Sequence, residues 1–185
     1  MRSPEPRNDV KFTFEDYLKW DDGVRYELID GVAYAIAAPN FDHQLIQGEI
    51  YGELRNFLKG KPCKAYSAPS DVKIDDHNVV QPDVYVTCDK SKLDGQFHNG
   101  VPDLIVEVLS PSNTFKEIAR KNHFYFTAGV KEYWLVNPKK RIIDVFIAED
   151  NDYLHTEYVE GDTIQCKVLD GFSIKVSDIF AEMLT

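Results

Sequence analysis

Leu104-Ile105-Val106-Glu107-Val108-Leu109 is the densest apolar, β-branched run in the chain, and Glu107 is its one polar residue. A run with no polar alternation suits a strand covered on both faces, so it reads as the central strand of a sheet. An ionised carboxylate placed there costs several kcal/mol unless it is paired or bound to a metal. Glu107 is therefore a ligand, half of a buried salt bridge, or a strand-end group that reaches water.

Two further β-branched stretches precede it, Ala65 to Ile74 and Val79 to Val86. The second contains Gln81-Pro82-Asp83, where Pro82 removes a ladder donor and suggests an edge or a bulge that re-aims the neighbouring acid. Leu45, Ile46, Ile50, Leu54, Phe57 and Leu58 recur at three- and four-residue steps. That spacing predicts a long amphipathic helix from Asp42 to Leu58, ended by Gly60. Earlier still, Tyr26 to Ile29 and Val32 to Ile36 flank Asp30-Gly31, a dipeptide that tolerates the positive φ angles of a tight type I′ turn. In that hairpin Glu27 lies opposite Tyr34, on the same largely apolar strand face as Ile29. Thr13 and Asp16 open a short helix that stops at Gly23, and residues 1 to 12 read as a flexible lead-in.

Downstream of the central run, Thr114 and Glu117 form a capping box for a second helix that ends near Gly129. Tyr133 to Val136, Ile142 to Ile147 and Tyr153 to Val159 follow as an antiparallel meander, and Ser177 to Leu184 as a short closing helix. No repeat or linker interrupts this order. It predicts a single α/β (α+β) domain over residues 13 to 185, built on a mixed sheet.

The 185 residues, 43% of them hydrophobic, carry enough apolar material for one core, which excludes disorder. A net charge of −10 excludes attraction of polyanions by the molecule as a whole. Any nucleic-acid contact must be local, and the stretch from Phe115 to Arg141, with seven basic against two acidic residues, is the one basic segment able to make it. A solvated helix face is the bland alternative for that segment. Three scattered cysteines, Cys63, Cys88 and Cys166, argue against a disulfide framework and a structural zinc site and suit a reducing cytoplasm. No apolar run is long enough to span a bilayer. Phosphate loops, dinucleotide fingerprints, nucleophile elbows and H-E-x-x-H motifs are all absent from the sequence.

The remaining chemistry lies in carboxylates: Glu107, Asp83 and Glu27. For Glu27 a hairpin-edge acid reaching solvent competes with a functional role. His43, one turn before Gln47 on the long helix, could line a cleft, or simply cap or pack. Lys121 lies three residues after Ile118 and four before Tyr125, which places its stem near the apolar stripe of the second helix.

Tyr26-Glu27-Leu28-Ile29-Asp30-Gly31, Gln81-Pro82-Asp83, Val106-Glu107-Val108-Leu109-Ser110-Pro111-Ser112, Lys121 and Ala128-Gly129-Val130-Lys131-Glu132-Tyr133-Trp134-Leu135-Val136-Asn137-Pro138, taken in this order, resemble the Uma-two family of endonucleases. The resemblance covers nearly the whole chain from Thr13. It implies membership of the PD-(D/E)XK superfamily, with a restriction-endonuclease-like mixed central β-sheet flanked by helices and Mg²⁺-dependent cleavage of phosphodiesters, Mn²⁺ serving as a substitute. Residue by residue, it makes Asp83 and Glu107 the metal ligands and Glu27 the upstream glutamate of the catalytic set. The superfamily lysine normally sits two residues beyond the second acid, where this chain has Leu109. The resemblance moves that role to Lys121.

The resulting expectation is a cytoplasmic endodeoxyribonuclease acting as a homodimer on DNA, with Glu27, Asp83, Glu107 and Lys121 catalytic and no membrane partner. Two alternatives stand beside it. One is a catalytically silent nucleic-acid or protein binding module of the same fold, which the acidic charge favours. The other is a two-carboxylate glycosidase that needs no metal.

Overall fold

A computed structural model of the chain describes residues 11–111, 113–150 and 152–184. Most of the expected lead-in, and Ser112 of the quoted motif, lie outside the described residues. In chain order the elements begin with α1 (Phe14–Tyr17), β1 (Tyr26–Ile29), β2 (Val32–Ala35), α2 (Phe41–Phe57), β3 (Lys64–Ser67), β4 (Val72–Asp75), β5 (Asn78–Val80) and β6 (Val84–Thr87). Then come β7 (His98–Asn99), β8 (Leu104–Val108), α3 (Phe115–Ala128), β9 (Glu132–Asn137), β10 (Ile142–Glu149) and β11 (Asp152–Tyr158). The chain closes with β12 (Thr163–Gln165), β13 (Ser173–Lys175) and α4 (Val176–Ile179).

These elements form two compact units. The first takes residues up to Ala38, Pro69–Gln81 and Ser91–Val101 and holds a five-stranded sheet in the order β2-β1-β5-β4-β7. Its hairpin forms as the sequence predicts: Glu27 pairs with Tyr34, and Asp30 and Gly31 both take positive φ, 51° and 74°. The second unit takes Pro39–Ala68, Pro82–Lys90 and Pro102 onward, with a six-stranded sheet in the order β11-β10-β9-β8-β6-β3 and the small β12-β13 pair.

In the second unit β8 lies between β6, antiparallel to it, and β9, parallel to it, and all five of its residues are buried. Val84, Val106, Val108, Trp134 and Val145 share a core with Ile46, Ile50 and Leu54 of α2 and with Ile179 of α4. Each of those three α2 side chains is fully buried and contributes roughly 1.5–3 kcal/mol of transfer free energy. α3 opens on the Thr114–Glu117 capping box and ends at Gly129, whose φ of 80° gives the left-handed cap that a Cβ would disfavour. The meander forms as β9-β10-β11.

Three readings are corrected. Ala65 to Ile74 and Val79 to Val86 are not single strands; each is cut in two, and the halves join different sheets. Pro69 and Pro82 stand at the cuts, where a residue without an N–H cannot carry a ladder onward, so Pro82 marks a passage between sheets rather than an edge or a bulge. The closing helix is the shorter Val176–Ile179. Finally, Cys63 and Cys88 are disulfide-bonded. They flank the Lys64–Thr87 pair of the β3–β6 ladder, a neighbourhood that their linear spacing does not show.

Candidate active site

Glu107 is 7% exposed, and the buried salt bridge is the compensation present. Lys121 Nζ on α3 donates to its Oε1 at 3.0 Å, and the Tyr125 hydroxyl donates to the same oxygen at 2.5 Å. Lys121 and Tyr125 are four apart, so a single face of α3 delivers both groups to β8. Tyr125 itself is fully buried, so its hydroxyl needs a partner, and the carboxylate supplies one.

Asp83 immediately precedes β6, one step beyond the Val84–Val106 pair that aligns β6 with β8. Its Oδ2 accepts the Val108 N–H at 2.7 Å and lies 3.1 Å from His43 Nε2. Gln47, one turn further along α2, donates to the Asp83 backbone oxygen at 2.9 Å. Burial alone would lower the His43 pKa, but the hydrogen bond and charge of Asp83, with the charge of Glu107, outweigh burial and hold it above its ordinary value. Each carboxylate therefore faces a basic group from a different helix: the His43 imidazole of α2 for Asp83 and the Lys121 ammonium of α3 for Glu107.

The structure thus brings together Asp83, Glu107, Lys121 and His43. Glu27 lies in the first unit, 5% exposed, so the reading of a solvent-reaching hairpin edge falls. Its Oε1 accepts the Gln81 N–H at 3.1 Å. The Gln81 amide donates in turn to Asp71 Oδ1 at 2.8 Å, as does the Tyr17 hydroxyl at 2.7 Å. Burial, with the adjacent Asp71, raises the Tyr17 hydroxyl's pKa. Sequence reasoning did not assign Tyr125 a role in the site; its four-residue spacing from Lys121 was the available signal.

Two hard oxygen donors side by side suit Mg²⁺, which takes one or two protein carboxylates and fills the rest of its shell with water and phosphate. No donor among the described residues is directed at Asp83 Oδ1, so that oxygen is open to a ligand. Among the described residues no group of three or more His, Cys, Asp or Glu side chains is arranged to hold a metal ion. The donor set fits an ion bound mainly through water and substrate and does not fit a closed protein cage.

The model of the family described as "Putative restriction endonuclease", Uma2, matches residues 14–177. The chain belongs to the Uma2 family. A Synechocystis relative named "Uncharacterized protein slr1290" is 31% identical over 176 residues, covering 92% of each chain. The crystal structure of an Anabaena variabilis protein, described as "a putative nuclease belonging to DUF820", superposes with a TM-score of 0.76 at 18% identity, over 92% of this chain and 98% of that one. This likeness shows the restriction-endonuclease-like fold. Among the described residues no helix is long and apolar enough to cross a membrane.

Proposed function

We propose that the protein is a divalent-metal-dependent endodeoxyribonuclease. The observation that carries this reading is Asp83, just before β6 and in register with Glu107 of β8, beside the Lys121 ammonium 3.0 Å from Glu107. Asp83 and Glu107 would hold Mg²⁺, with Mn²⁺ as a substitute. The bound ion would supply polarisation of a phosphate oxygen and a more acidic water.

The chain's own groups do the rest. The Val108 N–H and His43 hold the Asp83 carboxylate in place through Oδ2, leaving Oδ1 outward. Tyr125 anchors Glu107 Oε1. Lys121, with about a quarter of its side chain exposed, stays within reach of both the carboxylate and a phosphate, where its charge stabilises the extra negative charge of a pentavalent transition state or orients the attacking water. Glu27 acts as a positioning residue in this scheme, fixing Gln81 two residues before Asp83 along the chain. A homodimer would present two such sites about a two-fold axis.

A second reading is a binding module without catalysis. It is favoured by the basic side chain that each carboxylate already faces. Incubation with plasmid DNA in Mg²⁺, in Mn²⁺ and in EDTA, beside calorimetric metal titration, separates the two. Metal-dependent cleavage lost in Asp83→Asn supports the nuclease; metal binding and cleavage both absent from the parent protein leave the binding module.

A further inference from the structure

The two most exposed large hydrophobic side chains among the described residues are Phe115, 86% exposed, and Phe41, 75% exposed. Each is the first residue of its helix, Phe41 of α2 and Phe115 of α3. These same helices carry His43 to Asp83 and Lys121 to Glu107. Other surface rings, such as Phe126 and Phe146, lie against neighbouring aromatics. Among the described residues neither Phe41 nor Phe115 has such a partner. Side chains on a helix lean toward its N-terminus, so both rings overhang the starts of the site-bearing helices.

Charge separates the two rings: Phe41 is followed by Asp42 on α2, whereas Phe115 opens the basic helix. In a chain of net charge −10, α3 carries Lys116, Arg120 and Lys121 against one acid, Glu117, which is already engaged in the capping box. Phe115 is therefore the sequence neighbour of Lys116 on the helix that carries Lys121. An aromatic ring next to phosphate-neutralising cations is what an unpaired nucleic-acid strand recognises, because every base offers a face for stacking whatever its identity. A protein partner would find little apolar area around two single rings.

We propose that Phe115 and Phe41 are base-stacking residues that seat an unpaired stretch of the substrate strand at the carboxylate pair, making single-stranded or locally unpaired DNA the preferred substrate. This rests on the nuclease reading and adds a substrate class to it. The rings supply affinity without sequence preference, and Lys116 and Arg120 supply the salt-dependent part.

The test uses the full chain in Mg²⁺ with a single-stranded oligonucleotide carrying 2-aminopurine, beside a fully paired duplex. Phe115→Ala and Phe41→Ala should each lower kcat/KM on the single strand about tenfold, mostly through KM, the change expected from one lost stacked base. They should also abolish stacking-dependent quenching of the 2-aminopurine. Phe115→Trp should restore both, whereas Phe115→Leu, equally apolar but without a ring, should not. Leu154→Ala, at an exposed apolar residue of β11, serves as the neutral control. Parental kcat/KM and quenching in both alanine variants would overturn the stacking role while leaving the nuclease intact. Equal losses on duplex and single strand would overturn the substrate preference. A parent protein that neither binds nor cleaves any DNA in Mg²⁺ or Mn²⁺ would remove the nuclease reading and this inference together.

Discussion

The Lys121 ammonium on α3 lies 3.0 Å from Oε1 of Glu107 on β8, the two residues standing 14 positions apart in sequence. The pair joins a buried carboxylate to a partly exposed ammonium. The contact satisfies Glu107, and in the proposed nuclease the same ammonium would meet a second anion, the substrate phosphate.

Replacing Glu107 by Gln keeps the shape and removes the charge. We expect divalent-metal binding to disappear from calorimetry while circular dichroism and the two-state melt are retained. The partly exposed Lys121 can turn to water when its partner is neutralised, which limits the stability loss to below the roughly 3–5 kcal/mol of breaking a fully buried pair. Unchanged Mn²⁺ affinity in Glu107→Gln would remove this residue from the metal site.

Lys121→Ala should leave metal affinity within a few fold and cut turnover by about 10² or more, the size typical of losing one well-placed electrostatic stabiliser. Arg120, the next residue, points about 100° away around the helix, and Arg120→Ala should change only the salt dependence of DNA affinity. Cleavage at the parental rate by Lys121→Ala would leave this lysine as a structural partner of Glu107.

Tyr125→Phe deletes the hydroxyl that donates to Glu107 at 2.5 Å and leaves the ring packing on Tyr133 in place. We expect a melting free energy lower by about 1–2 kcal/mol, measured by denaturant titration, and weaker metal binding because the carboxylate loses one of its anchors. Stability and metal affinity both at parental values would show that the hydroxyl holds nothing.

Glu117 caps α3, and its pKa is lowered, chiefly by the Thr114 N–H that it accepts, against the opposing effect of burial. A carboxylate whose folded pKa lies below its unfolded value stabilises the fold above that value, and the contribution is lost as pH falls through the folded pKa. Glu117→Gln should therefore flatten the acid limb of the melting temperature against pH curve below about 4.5, the ordinary value of the group. An acid limb identical to that of the parent would mean that the capping box does not form in solution.

Gly31→Ala tests the hairpin of the first unit. The added Cβ would lie 2.7 Å from Lys11 Cβ and sit at a φ of 74°. Both effects oppose the native turn, and a loss of about 1–2 kcal/mol in denaturant titration is expected from the backbone conformation alone. No loss would mean that the turn relaxes to another type.

What the sequence by itself determined is the local structure. The Asp30-Gly31 turn, the Thr114–Glu117 capping box, the Gly129 cap and the apolar spacing of α2 each depend on residues within a few positions of one another, and each appears as read. The Leu104 to Leu109 run marked the buried central strand for the same reason, since burial on two faces is written in its composition. Tertiary structure alone decided how the strands divide at Pro69 and Pro82, because which sheet a strand joins depends on distant ladder partners. It also decided the Cys63–Cys88 bond, which closes a separation of 25 residues, and the means by which Glu107 is compensated. Spacing showed that Lys121 and Tyr125 share a helix face, but not that this face rests on Glu107, nor that His43 reaches Asp83. Those contacts exist because packing two helices against one sheet brings together groups whose linear distance carries no information about their electrostatic partners.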